Sequence, residues 1–113
     1  MSPVTAQAVE RLDRFATFTE RNWDSYDADP ITPAAVEAAR TVLQEFPAGV
    51  PYPLPDGGIQ LEFACANGWD LEVECNPDGA TFGYLHWHRA SRQSDEADGL
   101  TLPQMRAKCR EVL

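Results

Sequence analysis

The chain has 113 residues with 43% apolar residues, enough to build a core and too many for a disordered tail. Nine Lys plus Arg against eighteen Asp plus Glu leave a net charge of −9, which argues against direct nucleic-acid binding, since each phosphate contact needs a cation. No apolar run approaches the length of a membrane span, and the N-terminus lacks a signal-peptide pattern, so a cytoplasmic location and no membrane partner are expected.

Ser2-Pro3 reads as the cap and first position of a helix over about 3–21, with Val4, Ala8, Leu12, Phe15 and Ala16 on one stripe. Asn22 to Pro30 has no period and is rich in turn formers. Its acids are spaced loosely like a calcium loop, but the later Gly and twelfth-position Glu are missing. A structural role is expected instead, with Trp23 and Tyr26 docked on the core. Thr32-Pro33 starts a second helix, about 33–46, with Val36, Ala39, Leu43 and Phe46 at helical spacing before Pro47. Residues 47–58 are laced with proline and read as an extended connector lying over the core through Tyr52 and Leu54.

From there the period changes to two. Ile59, Leu61, Phe63 and Cys65 alternate with polar residues, as do Trp69, Leu71, Val73 and Cys75, giving strands over about 58–65 and 69–75. A three-residue loop, Ala66-Asn67-Gly68, is the only choice that keeps both apolar sets on one face, with Phe63 opposite Leu71 and Glu62 opposite Glu72. The same rule applied to Asn76-Pro77-Asp78-Gly79 pairs Asn76 with Ala80. A third strand, about 80–88, then sends Leu85 and Trp87 inward and Phe82, Tyr84, His86 and His88 outward. Residues 89–99 read as a mobile loop, and Thr101 with Gln104 as the capping box of a last helix, 102–113. The expected class is α+β, ordered α-α-β-β-β-α: a three-stranded antiparallel meander with helices on one face.

Cys65, Cys75 and Cys109 are expected as reduced thiols in the core. Cys65 and Cys75 fall at opposite ends of one strand pair, about 20 Å apart and beyond disulfide reach. No nucleophile or phosphate-loop pattern and no cofactor motif stands out.

Chemistry therefore concentrates on the expected outer sheet face: Glu62, Asp70, Glu72 and Glu74 beside Phe82, Tyr84, His86 and His88. Three readings compete. The rings are covered by the proline connector or the C-terminal segment and do nothing further. Or the face binds a protein, basic or a second copy forming a homodimer, with the rings as anchors and the acids steering approach. Or His86, His88 and Asp70 form a two-histidine, one-carboxylate metal or acid–base site of an enzyme. The preferred expectation is the second: a small acidic protein-binding module that is not an enzyme. Such a module would act as an inhibitor, an antitoxin-like partner or an anti-defence protein that blocks a basic nucleic-acid-handling machine.

The Asn22-Trp23-Asp24-Ser25-Tyr26-Asp27-Ala28 segment, followed by Asp56-Gly57-Gly58-Ile59, resembles small bacterial and phage proteins that carry Asn-Trp-Asp-Gly-Tyr-Gly-Ala and an Asp-Gly-Gly-Ile strand. Ser25 and Asp27 stand where those proteins have glycines, and Phe63 where they have a tryptophan. The resemblance implies a recurring domain and brings no activity with it.

Overall fold

The computed structural model describes residues 4–113. The Ser2 cap and Pro3 start lie outside the described residues. The first helix, α1 (Ala6–Phe15), is capped instead by Thr5, whose hydroxyl accepts the Ala8 N–H at 3.1 Å. It is shorter than its apolar stripe promised. After Ala16 the chain turns, and Phe18 leaves the helix to stack on Trp23 at 4.9 Å.

The segment from Asn22 to Asp29 is pinned by its own side chains. Asp24 accepts the N–H groups of Tyr26 and Ala28, Asn22 accepts that of Asp27, and Trp23 donates to the Asp29 carbonyl at 2.6 Å. Arg21 holds both Asp27 and Asp29. The acids of this loop are thus spent internally. Three residues here, Asn22, Ser25 and Asp27, take positive φ values of 68°, 66° and 65°, a region that Asn and Asp enter readily but that costs Ser25 about 1–2 kcal/mol. Tyr26 does not dock on the core; it is 88% exposed at the tip.

Thr32 caps α2 (Pro33–Glu45), with Pro33 in the first turn. The sheet that follows has five antiparallel strands in chain order: β1 (Val50–Pro53), β2 (Ile59–Ala64), β3 (Trp69–Cys75), β4 (Phe82–His88) and β5 (Ser94–Leu100). The α+β class stands, but a three-stranded meander is two strands short. The proline connector supplies β1, which pairs with β2 and does not lie over the core: Pro51 is buried, while Tyr52 points to the open side. The stretch expected as a mobile loop supplies β5. The last helix, α3 (Leu102–Val112), is capped by the Thr101–Gln104 box.

α1 packs on α2 and β1, α2 on β2 and β3, and α3 on β4. Ile59, Leu61, Phe63, Leu71, Val73 and Cys75 face these helices and join Leu12, Phe15, Val42, Leu43, Met105 and Cys109 in one buried cluster. The β2–β3 register places Phe63 opposite Leu71 and Glu62 opposite Glu72, with Asn67 and Gly68 left-handed in the connecting turn.

β4 breaks the expected pattern. Asn76 pairs with Thr81, not Ala80: the Asn76 N–H donates to the Thr81 carbonyl at 3.1 Å, and Gly79 N–H to Asn76 at 2.9 Å. Asp78 causes the extra residue. Its carboxylate accepts the N–H groups of Ala80 and Thr81 and the Thr81 hydroxyl, each at 2.9 Å, so Ala80 is held inside the loop. A loop longer by one residue reverses the side on which every later side chain points. Phe82 and Tyr84 therefore face the helices, 2% and 4% exposed, while Leu85 and Trp87 face outward.

Candidate functional site

The inverted strand dismantles part of the expected site. Phe82 and Tyr84 are core residues, Tyr84 lying beneath Lys108 of α3 with the ammonium 4.9 Å from its ring centre. Burial pushes the Tyr84 hydroxyl up to about 12. His86 and His88 share that helix-side face, grouped around Trp69, on which His86 stacks at 4.4 Å. His88 has no free nitrogen. Nδ1 accepts the Ser91 N–H at 3.1 Å, which leaves Nε2 protonated to donate to the Asn67 carbonyl at 2.9 Å. Asp70 lies on the opposite face, across from Trp87 and not His86, and is held by Arg89 through hydrogen bonds of 2.6 and 3.1 Å. The set His86, His88 and Asp70 is thus divided by the sheet and cannot enclose one ion. Among the described residues, no group of three His, Cys, Asp or Glu is spaced to hold a metal.

What survives on the outer face is its charge. Glu62, Asp70, Glu72 and Glu74 all project there from β2 and β3, because the register of those strands is as the alternation requires. β5 adds Glu96, aligned with Leu85, and Asp98, which comes within reach of Gly83. One row across the sheet runs Val50, Glu62, Glu72, Leu85, Glu96. Among the described residues, the only cation paired with any of these acids is Arg89, on Asp70. Gln60 donates to Glu62 at 2.9 Å, a neutral contact.

Crowding shows in the titration of this face. Burial, then the charges of Glu62, Glu74 and Asp70, raise the Glu72 carboxyl above its ordinary range. Glu74 is raised by burial, then by Asp56 and Asp98. Asp70, held by its Arg89 hydrogen bond, is lowered instead.

The face is not flat. Gly83 leaves a depression of about 100 Å³ walled by Glu72, Glu74, Leu85, Glu96 and Asp98. A Cβ at Gly83 would stand 3.4 Å from the Glu74 Cβ and 3.5 Å from carboxylate oxygens of Glu74 and Asp98, so glycine sets the depth of this floor. A neighbouring hollow of about 280 Å³ lies between Val50, Tyr52, Glu62, Asp70, Glu72 and Trp87. Trp87 forms part of its wall, with its Nε1–H buried and without a hydrogen-bond partner among the described residues.

Glu96, Asp98, Gly83 and Trp87 were missed by sequence reasoning. For Glu96 and Asp98 the one signal was the acid spacing of Ser94-Asp95-Glu96-Ala97-Asp98, which alternates weakly and lacks apolar partners, while Gly83 and Trp87 were assigned to the core side of their strand. A further groove, of about 580 Å³, lies between the C-terminal ends of α2 and α3 and is lined mainly by Phe46, Pro47, Phe63, Cys65, Val112 and Leu113. Its one charged wall residue, Glu45, is committed to Arg106 and Arg110, so it offers apolar shape with few directed polar groups. Comparison with protein-family models, curated proteins and solved structures finds no match to this chain.

Proposed function

We propose that the chain is a protein-binding module whose outer sheet face receives a basic segment of a partner. The observation that supports this reading is an uncovered face bearing Glu62, Glu72, Glu74, Glu96 and Asp98 with no paired cation among the described residues. A Lys or Arg head seated over Gly83 would meet Glu72, Glu74, Glu96 and Asp98, while its apolar stem lies along Leu85. The anchors are therefore Leu85 and Trp87 in place of Phe82 and Tyr84. Such acids also compete with phosphate for Arg and Lys on a partner, which suits an inhibitor of a basic machine.

The test is a titration with the heptapeptide Lys-Val-Lys-Val-Lys-Val-Lys at low salt, followed by tryptophan fluorescence. Wild type should bind with an affinity that falls steeply as salt rises. Glu72→Lys should abolish binding, whereas Glu10→Lys on α1, an equal change in net charge, should leave most of it. Equal losses in the two variants would reduce the effect to bulk charge and remove this face as a site.

A further inference from the structure

The two edges of the sheet differ in what they can accept. At β1, Pro51 and Pro53 have no N–H to donate, α1 packs alongside, and Arg11 Nε already donates to the Pro51 carbonyl at 2.9 Å. At β5 there is no proline, and Ser94, Asp95, Glu96, Asp98 and Gly99 are exposed. The phase of its backbone is fixed by the hairpin closure, where His88 N–H donates to the Gln93 carbonyl at 2.9 Å and Arg92 N–H to His88 at 3.0 Å. Alternation along the ladder then turns Asp95, the partner of His86, toward β4, and turns the N–H and C=O groups of Ser94 and Glu96 outward.

We propose that β5 is the edge on which the partner's basic segment adds as a further antiparallel or parallel strand. This rests on the acidic-face reading above and states how the segment is held. Residues at every second position of an added strand project on the outer face beside Glu96 and Asp98, at cross-strand distance for ion pairing. Lys or Arg at that period, in an extended segment, is the chemistry the edge selects. A second copy of this chain is the wrong occupant, because joining two β5 edges sets Asp95, Glu96 and Asp98 against their own kind.

The experiment uses the same heptapeptide and two isomers, one N-methylated on its valines and one on its lysines. A strand has N–H groups on both edges, and only one isomer methylates those that must face β5. Strand addition predicts that one isomer binds roughly 10-fold more weakly, or worse, than the parent while the other binds like it, as expected for losing a few interchain hydrogen bonds. It also predicts slowed amide exchange at Ser94 and Glu96 with the parent peptide bound. If both isomers bind like the parent and exchange is unchanged, strand addition is overturned while the acidic face stands. If the parent peptide itself fails to bind wild type at low salt, the face reading falls and takes this inference with it.

Discussion

Replacing Glu72 with Gln should make the protein more stable. Glu72 stands directly opposite Glu62, with Glu74 and Asp70 on the same strand and no cation bonded to it among the described residues. Like charges facing across a strand pair cost about 0.2–1 kcal/mol, and a half-buried carboxylate adds some desolvation. An amide of the same shape removes both costs, so a gain of about 0.5–1 kcal/mol is expected at pH 7. With unfolding entropy near 2.1 cal/mol/K per residue, that is a rise in Tm of about 2–4 °C. The gain should depend on pH in a definite sense. Folding raises the Glu72 carboxyl, so the folded state binds its proton more readily than the unfolded chain, and wild type loses stability as pH climbs from the ordinary glutamate range through the raised value. Below that range the group is protonated in both states and the advantage of Glu72→Gln should close. Thermal unfolding by circular dichroism at pH 7 and near pH 4 measures both. A variant no more stable than wild type at pH 7, or a gap unchanged near pH 4, would refute the description of this face as electrostatically strained. The same variant should bind the basic heptapeptide more weakly, the two effects being opposite consequences of one charge.

Ser25→Gly should raise Tm slightly, by about 1–3 °C, while Ser25→Ala should leave it close to wild type. Glycine relieves the left-handed strain at φ 66° at the cost of a looser unfolded chain, and alanine relieves nothing. Equal melting temperatures for the two would place Ser25 in another backbone region. Trp87→Phe keeps an aromatic on the outer face and deletes the buried Nε1–H, which has no partner among the described residues. Loss of an orphan donor worth about 1–3 kcal/mol should offset the smaller ring and leave stability within about 1 kcal/mol of wild type, read by urea denaturation. A larger loss would mean that the indole nitrogen has a partner in solution.

The acids of β2 and β3 were legible because two signals agreed: alternation in both strands, and a turn at Asn67-Gly68 that admits only one loop length without putting Phe63 beside a charge. In β4 that agreement is missing. Phe82, Tyr84 and His86 occupy one parity and Leu85 and Trp87 the other, so either side can face a core. The choice falls to the length of the preceding loop, and that is set by the Asp78 carboxylate, a contact invisible to periodicity. β1 and β5 were illegible for another reason. Prolines and acids give poor intrinsic strands, and these segments are extended because a ready ladder stands beside them. The metal reading failed with the β4 parity, since His86 and Asp70 stand on opposite sides of the sheet.

The cysteines turn this layered arrangement into a measuring device. Cys75 on β3 and Cys109 on α3 are both buried, and burial pushes both thiols up to about 12, so neither reacts while sheet and helix stay together. Cys65, only half-buried, is the faster target. With Cys65 changed to Ser, alkylation under native conditions counts the moments when α3 lifts from the sheet. The rate of labelling at Cys109 against Cys75 then shows whether the helix departs alone or the whole layer opens at once.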